Sequence, residues 1–200
     1  ANATPDIVTI SGQVGATQIG ALTDGNATQG GSAAFTSANA VVVGTVEVTG
    51  GDNANEDSLV SFGDALTTTS VTLNDSTGDA AATFDALNGA QNIAGTIDGA
   101  AAGEGILNVV DNDGGAPQAI TFSNNIGGTA GIKALNIGDA TDAGSAIFSG
   151  TVAAGAVTVD AGTEANEVSN ATFSSSLGVT TLTIQADASN NTAGSATVVG

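Results

Sequence analysis

The chain contains no Cys, Met, Trp, Tyr or His, and Lys133 is its one basic residue. General acid–base catalysis near neutral pH relies on His or on a pKa-tuned Lys or carboxylate, and nucleophilic catalysis needs Ser, Thr or Cys beside a base. Only carboxylates and Lys133 remain for these roles, so no enzyme activity is expected. The 20 acidic residues set a formal charge of −19, which repels a phosphate backbone whose binding depends on Lys and Arg. Nucleic acid and anionic membrane surfaces are therefore excluded as expected partners. Without Cys the fold is indifferent to redox compartment. No apolar run approaches the roughly 18 residues that span a bilayer, so membrane insertion is not expected. The opening residues ANATPDIVTI show neither a basic n-region nor an apolar h-region, so any secretory leader is expected to have been removed already.

What the chain does contain is apolar enough to fold. Apolar residues make up 41% and charged residues 10%, a balance that argues against the disorder that acidity alone would suggest. Ala, Val, Ile and Leu supply most of the apolar fraction, and only six aromatic residues are present, all of them Phe. They are Phe35, Phe62, Phe84, Phe122, Phe148 and Phe173, separated by 27, 22, 38, 26 and 25 residues. The period is near 25, with one long interval.

Aligned on Phe, the chain shows a second regularity. Phe62, Phe148 and Phe173 each have an apolar residue four places later, Leu66, Val152 and Leu177. Nine and eleven places later come Val71 and Leu73, Val157 and Val159, and Leu182 and Ile184. The block at Phe122 follows the same order with four extra residues, giving Ile126, Leu135 and Ile137. Alternating segments such as AVTVDA and TLTIQA read as strands, and clusters of Gly, Ser and Asn between them read as turns. A unit of about 25 residues buries too little surface to fold alone, so neighbouring units must stack. The expected fold is all-β, a parallel β-solenoid (β-helix) with coils of about 25 residues. Its expected bounds are 34–200, with an insertion near 94–118 that forms a loop or a lateral strand pair. Residues 1–33 fit the repeat poorly and are expected to be an N-terminal cap or contact arm.

Residues 48–62, VTGGDNANEDSLVSF, also align without a gap on residues 159–173, VDAGTEANEVSNATF. The alignment puts Asn55, Asn166 and Asn191 in one register. Stacked turn Asn residues can form an amide ladder at the corners, or can serve simply because Asn tolerates left-handed turns.

Units such as AIFSGTVAAGAVTVDAGT and ITFSNNIGGTAGIKALNIGDA resemble the Ala-, Gly-, Asn- and Thr-rich β-strand repeats of bacterial cell-surface proteins. Among these are the passenger regions of rickettsial-type outer-membrane autotransporters and the repeats of some surface-layer proteins. The resemblance covers about residues 34–200. It implies an extracellular β-solenoid or β-rich array serving as an adhesin, coat or lattice. The autotransporter's membrane barrel and the Gly-Gly-x-Gly-x-Asp calcium nonapeptide of the toxin-repeat class are both missing from this chain.

Calcium is the candidate cofactor, because hard cations take carboxylate and amide oxygens. Asp111 and Asp113 in DNDGG are the first candidate ligands, and Asp52, Glu56 and Asp57 the second. Glu164 with Glu167 and Asp139 with Asp142 offer further oxygens, and solvated turn residues that keep an apolar repeat soluble are the plainer reading of each group. The Thr-rich segments 67–72 and 179–184 bring up an ice-binding surface, against which the Thr positions change from coil to coil. Five Asn-x-Ser/Thr sequons, at Asn2, Asn26, Asn74, Asn170 and Asn190, are near chance for this composition. The function expected is a non-enzymatic structural protein of a microbial cell surface that self-assembles into a layer or filament. An adhesin-type passenger is the alternative. Its partners would be copies of itself, and the repeat running to the last residue suggests either a longer parent or subunits that continue the stack.

Overall fold

In the computed structural model, the described residues are 7–10, 19–26, 28–36, 38–112, 116–163, 168–187 and 192–199. They form two eight-stranded parallel sheets and no helix. The first sheet runs, in spatial order, β1 (Ile7–Ile10), β3 (Ser32–Phe35), β5 (Ser58–Phe62), β7 (Ala80–Asp85), β9 (Glu104–Val110), β11 (Ile132–Ile137), β13 (Val152–Val159) and β15 (Leu177–Ile184). The second runs β2 (Ile19–Gly25), β4 (Val41–Thr49), β6 (Leu66–Asn74), β8 (Gln91–Gly99), β10 (Ala119–Phe122), β12 (Ser145–Phe148), β14 (Asn170–Phe173) and β18 (Ser195–Val198). The chain alternates between the two sheets, so each pair of strands is one coil of a β-solenoid. Eight strands at the ~4.8 Å spacing of a sheet make a rod of roughly 35 Å. A short antiparallel pair, β16 (Ala186–Asp187) with β17 (Thr192–Ala193), stands outside the stack. Within the segment expected as cap or arm, β1 pairs in parallel with β3, and β2 with β4.

The apolar spacing read from Phe has a simple geometric cause. In β4 the inward positions are Val41 and Val43, then Val46 and Val48, with Thr49 also buried at the strand end; in β6 they are Leu66 and Thr68, then Val71 and Leu73. Alternation holds within each half and changes parity between the halves, so each long strand is two short strands joined by a two-residue corner. The same break separates Val152 and Ala154 from Val157 and Val159 in β13. In β8 the corner is one residue shorter and the ladder with β6 slips there. Gly95, at φ 124°, takes up the difference in a conformation that a side chain would oppose.

The interval between Phe84 and Phe122 is neither a loop nor a lateral strand pair. Most of its surplus is β9, a full member of the stack that pairs with β7 on one side and β11 on the other. One added strand and its turn move every later strand one wall onward. Phe35, Phe62 and Phe84 therefore lie on the first sheet, while Phe122, Phe148 and Phe173 lie on the second. Val109 follows Phe84 in register on the first sheet, and Phe122 follows Ile93 on the second. The six rings nevertheless form one inward column, with successive centroids 5.2, 5.3, 5.4, 5.0 and 5.0 Å apart. Four of the five contacts are stacked; the Phe84–Phe122 contact, where the column crosses between walls, is edge-on at 89°.

The gapless match of residues 48–62 to 159–173 marks a corner staple. Ser58 and Ser169 are buried, and each accepts a hydrogen bond at Oγ from a glycine N–H one coil earlier, Gly31 at 2.9 Å and Gly144 at 2.9 Å. A buried corner N–H left unpaired would cost about 1–3 kcal/mol, which accounts for the repetition of Ser. Asn55 sits exposed in a turn, and Asn166 and Asn191 fall outside the described residues.

Lys133 lies within β11, whose neighbours Ala134 and Ile132 are paired to β9 and β13. Its side chain reaches out of the stack to Asp79 and, at 3.8 Å, Asp75. A protease needs its site locally unfolded. Trypsin under native conditions is therefore expected to leave the chain intact, whereas in urea it yields fragments 1–133 and 134–200. Rapid native cleavage, seen on a gel or by mass spectrometry, would place Lys133 outside the ladder.

Candidate functional site

Carboxylates are almost absent from the strand faces. Among the described acidic residues only Asp24, Glu47 and Asp98 lie inside a strand, and the rest occupy turns or strand ends. Parallel register sets like positions directly opposite one another, where like charges destabilise the ladder. Glu47 accordingly has Thr23 and Thr72 as its strand neighbours, and Asp98 has Thr72. The acidity therefore runs along the corners as ridges, between strand faces of Thr, Ser, Asn and Ala.

Many of these corner carboxylates close turns by accepting from backbone N–H groups. Asp64 Oδ1 accepts from Ala65 at 2.6 Å, Asp75 Oδ1 from Ala80 at 2.8 Å, and Asp139 Oδ1 from Thr141 at 2.7 Å; inside β8, Asp98 Oδ1 likewise accepts from Thr129 N–H at 2.8 Å. Local side-chain capture of backbone donors is what makes Asp and Asn good corner residues.

The expected calcium ligands divide in this setting. Asp111 is buried rather than projecting, and its Oδ2 accepts from the N–H of Gln118. Asp113 falls outside the described residues, as do Glu164 and Glu167. Asp52, Glu56 and Asp57 do share one turn. Asp52 accepts from the Asn53 side chain at 2.8 Å, Asp57 accepts from Asp79 N–H at 2.9 Å, and Glu56 Oε2 is buried with no hydrogen-bond partner. Among the described residues no group of three or more acidic side chains is placed to hold one metal ion within the chain. Exposed Asp52 and Asp57 face outward from the ridge. The two Thr-rich segments belong to different sheets, β6 and β15.

One depression on the outer face of the first sheet went unrecognised in the sequence. It has a volume of about 480 Å³ and is lined by residues of four successive coils. Its floor is an amide ladder: Asn136 Nδ2 donates to Asn108 Oδ1 at 2.9 Å, and Asn108 Nδ2 donates to Thr83 Oγ1 at 3.3 Å. Register continues the row to Thr158. Three of these outward residues sit between two inward aliphatics, as Leu107-Asn108-Val109, Leu135-Asn136-Ile137 and Val157-Thr158-Val159, and Thr83 sits between Ala82 and Phe84. That triplet is the sequence signal that locates the row. It is hidden when the repeat is aligned on Phe, because the phase slips at β9. A side-chain ladder thus runs mid-strand, apart from the corner register of Asn55, of which Asn166 and Asn191 lie outside the described residues. Asn112, Asp139 and Asp160 complete one rim.

No protein family matches the chain, and neither a curated protein nor a solved structure is found to match it.

Proposed function

We propose that the chain is a non-enzymatic structural element of a microbial cell surface. On this reading it is a solenoid that associates through its coil ends and corner ridges into a layer or filament, with calcium bridging carboxylates of adjoining copies. The observation that supports this most is the state of the last coil. Leu182, Ile184 and Val198 are 41, 49 and 52% exposed. They stand in the same inward columns as the buried Val157, Val159 and Phe173. Such an edge, apolar and carrying unpaired strand backbone, is covered by another coil in the same register. Further chain or another copy can supply that coil.

Charge supports the role of a cation. Two copies that each carry −19 over the whole chain repel at contact, and screening over a Debye length near 8 Å weakens the repulsion without removing it. Lys133, engaged by Asp79 and Asp75, leaves no spare positive side chain among the described residues. Calcium shared between ridges that include Asp52 and Asp57 would remove the repulsion. Material examined by electron microscopy and sedimentation is expected to form arrays or fibres in calcium, to disperse on adding a chelator, and to reassemble with calcium but not with sodium at matched ionic strength. Assemblies that survive the chelator, with an unchanged melting temperature, would sink calcium bridging; dispersed single chains in every condition would sink self-assembly itself.

A further inference from the structure

We propose that the groove along Asn108 and Asn136 is a binding site for alkylammonium or guanidinium groups. Its chemistry is one-sided. Within the ladder the amides direct N–H toward earlier coils, and at its other end Asn136 Oδ1 has no hydrogen-bond partner among the described residues. Asp139 uses Oδ1 to close its own turn, accepting from Thr141 at 2.7 Å and Asp142 at 2.9 Å. Asp160 Oδ1 accepts from Gly162 at 3.4 Å. The Oδ2 atom of each remains without a protein partner among the described residues.

Asp139 lies two residues past Ile137 and Asp160 one residue past Val159, the partner of Ile137 on the adjacent strand, so the two carboxylates line the same rim on neighbouring coils, offset by one residue. The groove thus presents an amide oxygen, the Thr158 hydroxyl and two carboxylate oxygens, and no cationic side chain lines it. A ligand that fits must donate hydrogen bonds and carry positive charge. An ammonium group has three donors and a guanidinium five, and hydrogen bonds to ionised acceptors are the stronger kind. Anions are repelled. A metal ion lacks a third carboxylate here, and a neutral sugar finds neither an opposite charge nor an aromatic ring in the lining. The row from Thr83 to Thr158 spans three strand steps, roughly 14 Å, so an extended polyamine or a Lys- or Arg-bearing peptide would lie along the rod axis. This proposal stands independently of self-assembly.

The test is to titrate isotope-labelled protein with spermidine, and separately with a short Lys-rich peptide, while following side-chain amide signals by NMR. Sodium at matched ionic strength and calcium serve as controls. The expected result is saturable shifts concentrated at Asn108 and Asn136, with at least a fivefold weaker Kd in Asp160→Asn, which keeps the Oδ1 acceptor that closes its turn. Asp139→Asn is the second variant should the first unfold. Comparison of the two titrations tells a free amine from a peptide. Shifts spread evenly over the Asn side chains of the whole rod and reproduced by sodium would overturn the site. So would unchanged affinity in both folded variants, or a response to calcium alone.

Discussion

Replacing Phe148 by Ala is expected to destabilise the fold by about 3–5 kcal/mol, the range seen for buried Phe truncated to Ala. Phe148 is fully buried, and the rings of Phe122 and Phe173 lie 5.0 Å away on either side at interplanar angles of 12° and 9°. Removing the middle ring takes away both stacked contacts, each worth about 0.5–1.5 kcal/mol beyond area burial. The cavity left behind cannot readily collapse, because β12 is held in register by β10 and β14 and the ladder fixes the strand spacing. A loss of this size lowers the melting temperature of a chain of this length by roughly 10 °C. In a solenoid, stability is a sum over coils and their interfaces, so amide exchange should quicken first in β12 and its neighbours. Phe35→Ala is the milder comparison, since Phe35 has one ring neighbour and ends the column. A melting curve unmoved by Phe148→Ala would show that the Phe residues do not form the inward column.

The solenoid was legible because its core asks the same question at every coil. Phe148, Val152, Val157 and Val159 are buried at offsets that repeat from Phe62 and Phe173, and a two-residue corner imposes that spacing on any chain wound this way. Which wall a Phe occupies was not legible. Phe84, Val109, Ile137 and Val159 succeed one another in a single column, so a wall accepts an aromatic or a β-branched side chain alike. An inserted strand can therefore shift the phase without leaving a chemical mark, and β9 was mistaken for excess chain. The amide ladder was hidden by the same slip. The carboxylates escaped for another reason: what Asp75, Asp98 or Asp111 binds is a backbone N–H, which no side-chain pattern reveals. Their abundance is tied to closing corners as much as to charge.

Asp24→Asn is expected to stabilise the protein at pH 7 and to do nothing for it below about pH 4. Asp24 occupies an inward position, paired with Val48, which in turn pairs with Leu73. It is 8% exposed and its Oδ2 has no hydrogen-bond partner. Burial disfavours the charged form and pushes the carboxyl from 3.8 up to about 6. Between these values the native state holds a proton that the unfolded chain has released, so stability falls as pH rises through the window. Above pH 6 the full penalty applies. A shift of about two units, at 1.36 kcal/mol each, sets a ceiling of about 3 kcal/mol, lowered to the extent that the first coil loosens to hydrate the charge. Asn keeps the shape and cannot ionise, so the difference in unfolding free energy between variant and wild type should grow from near zero at pH 3.5 to its plateau above pH 6.5. Titrations of other carboxylates cancel in that difference. Protection factors of the β2 and β4 amides of the wild type, which remove the intrinsic pH dependence of exchange, should rise on acidification through the same window and show no such step in the variant. A difference that stays flat from pH 3.5 to 7, or a variant less stable than wild type at neutral pH, would mean that Asp24 is solvated or paired rather than held against Val48 at the start of the core.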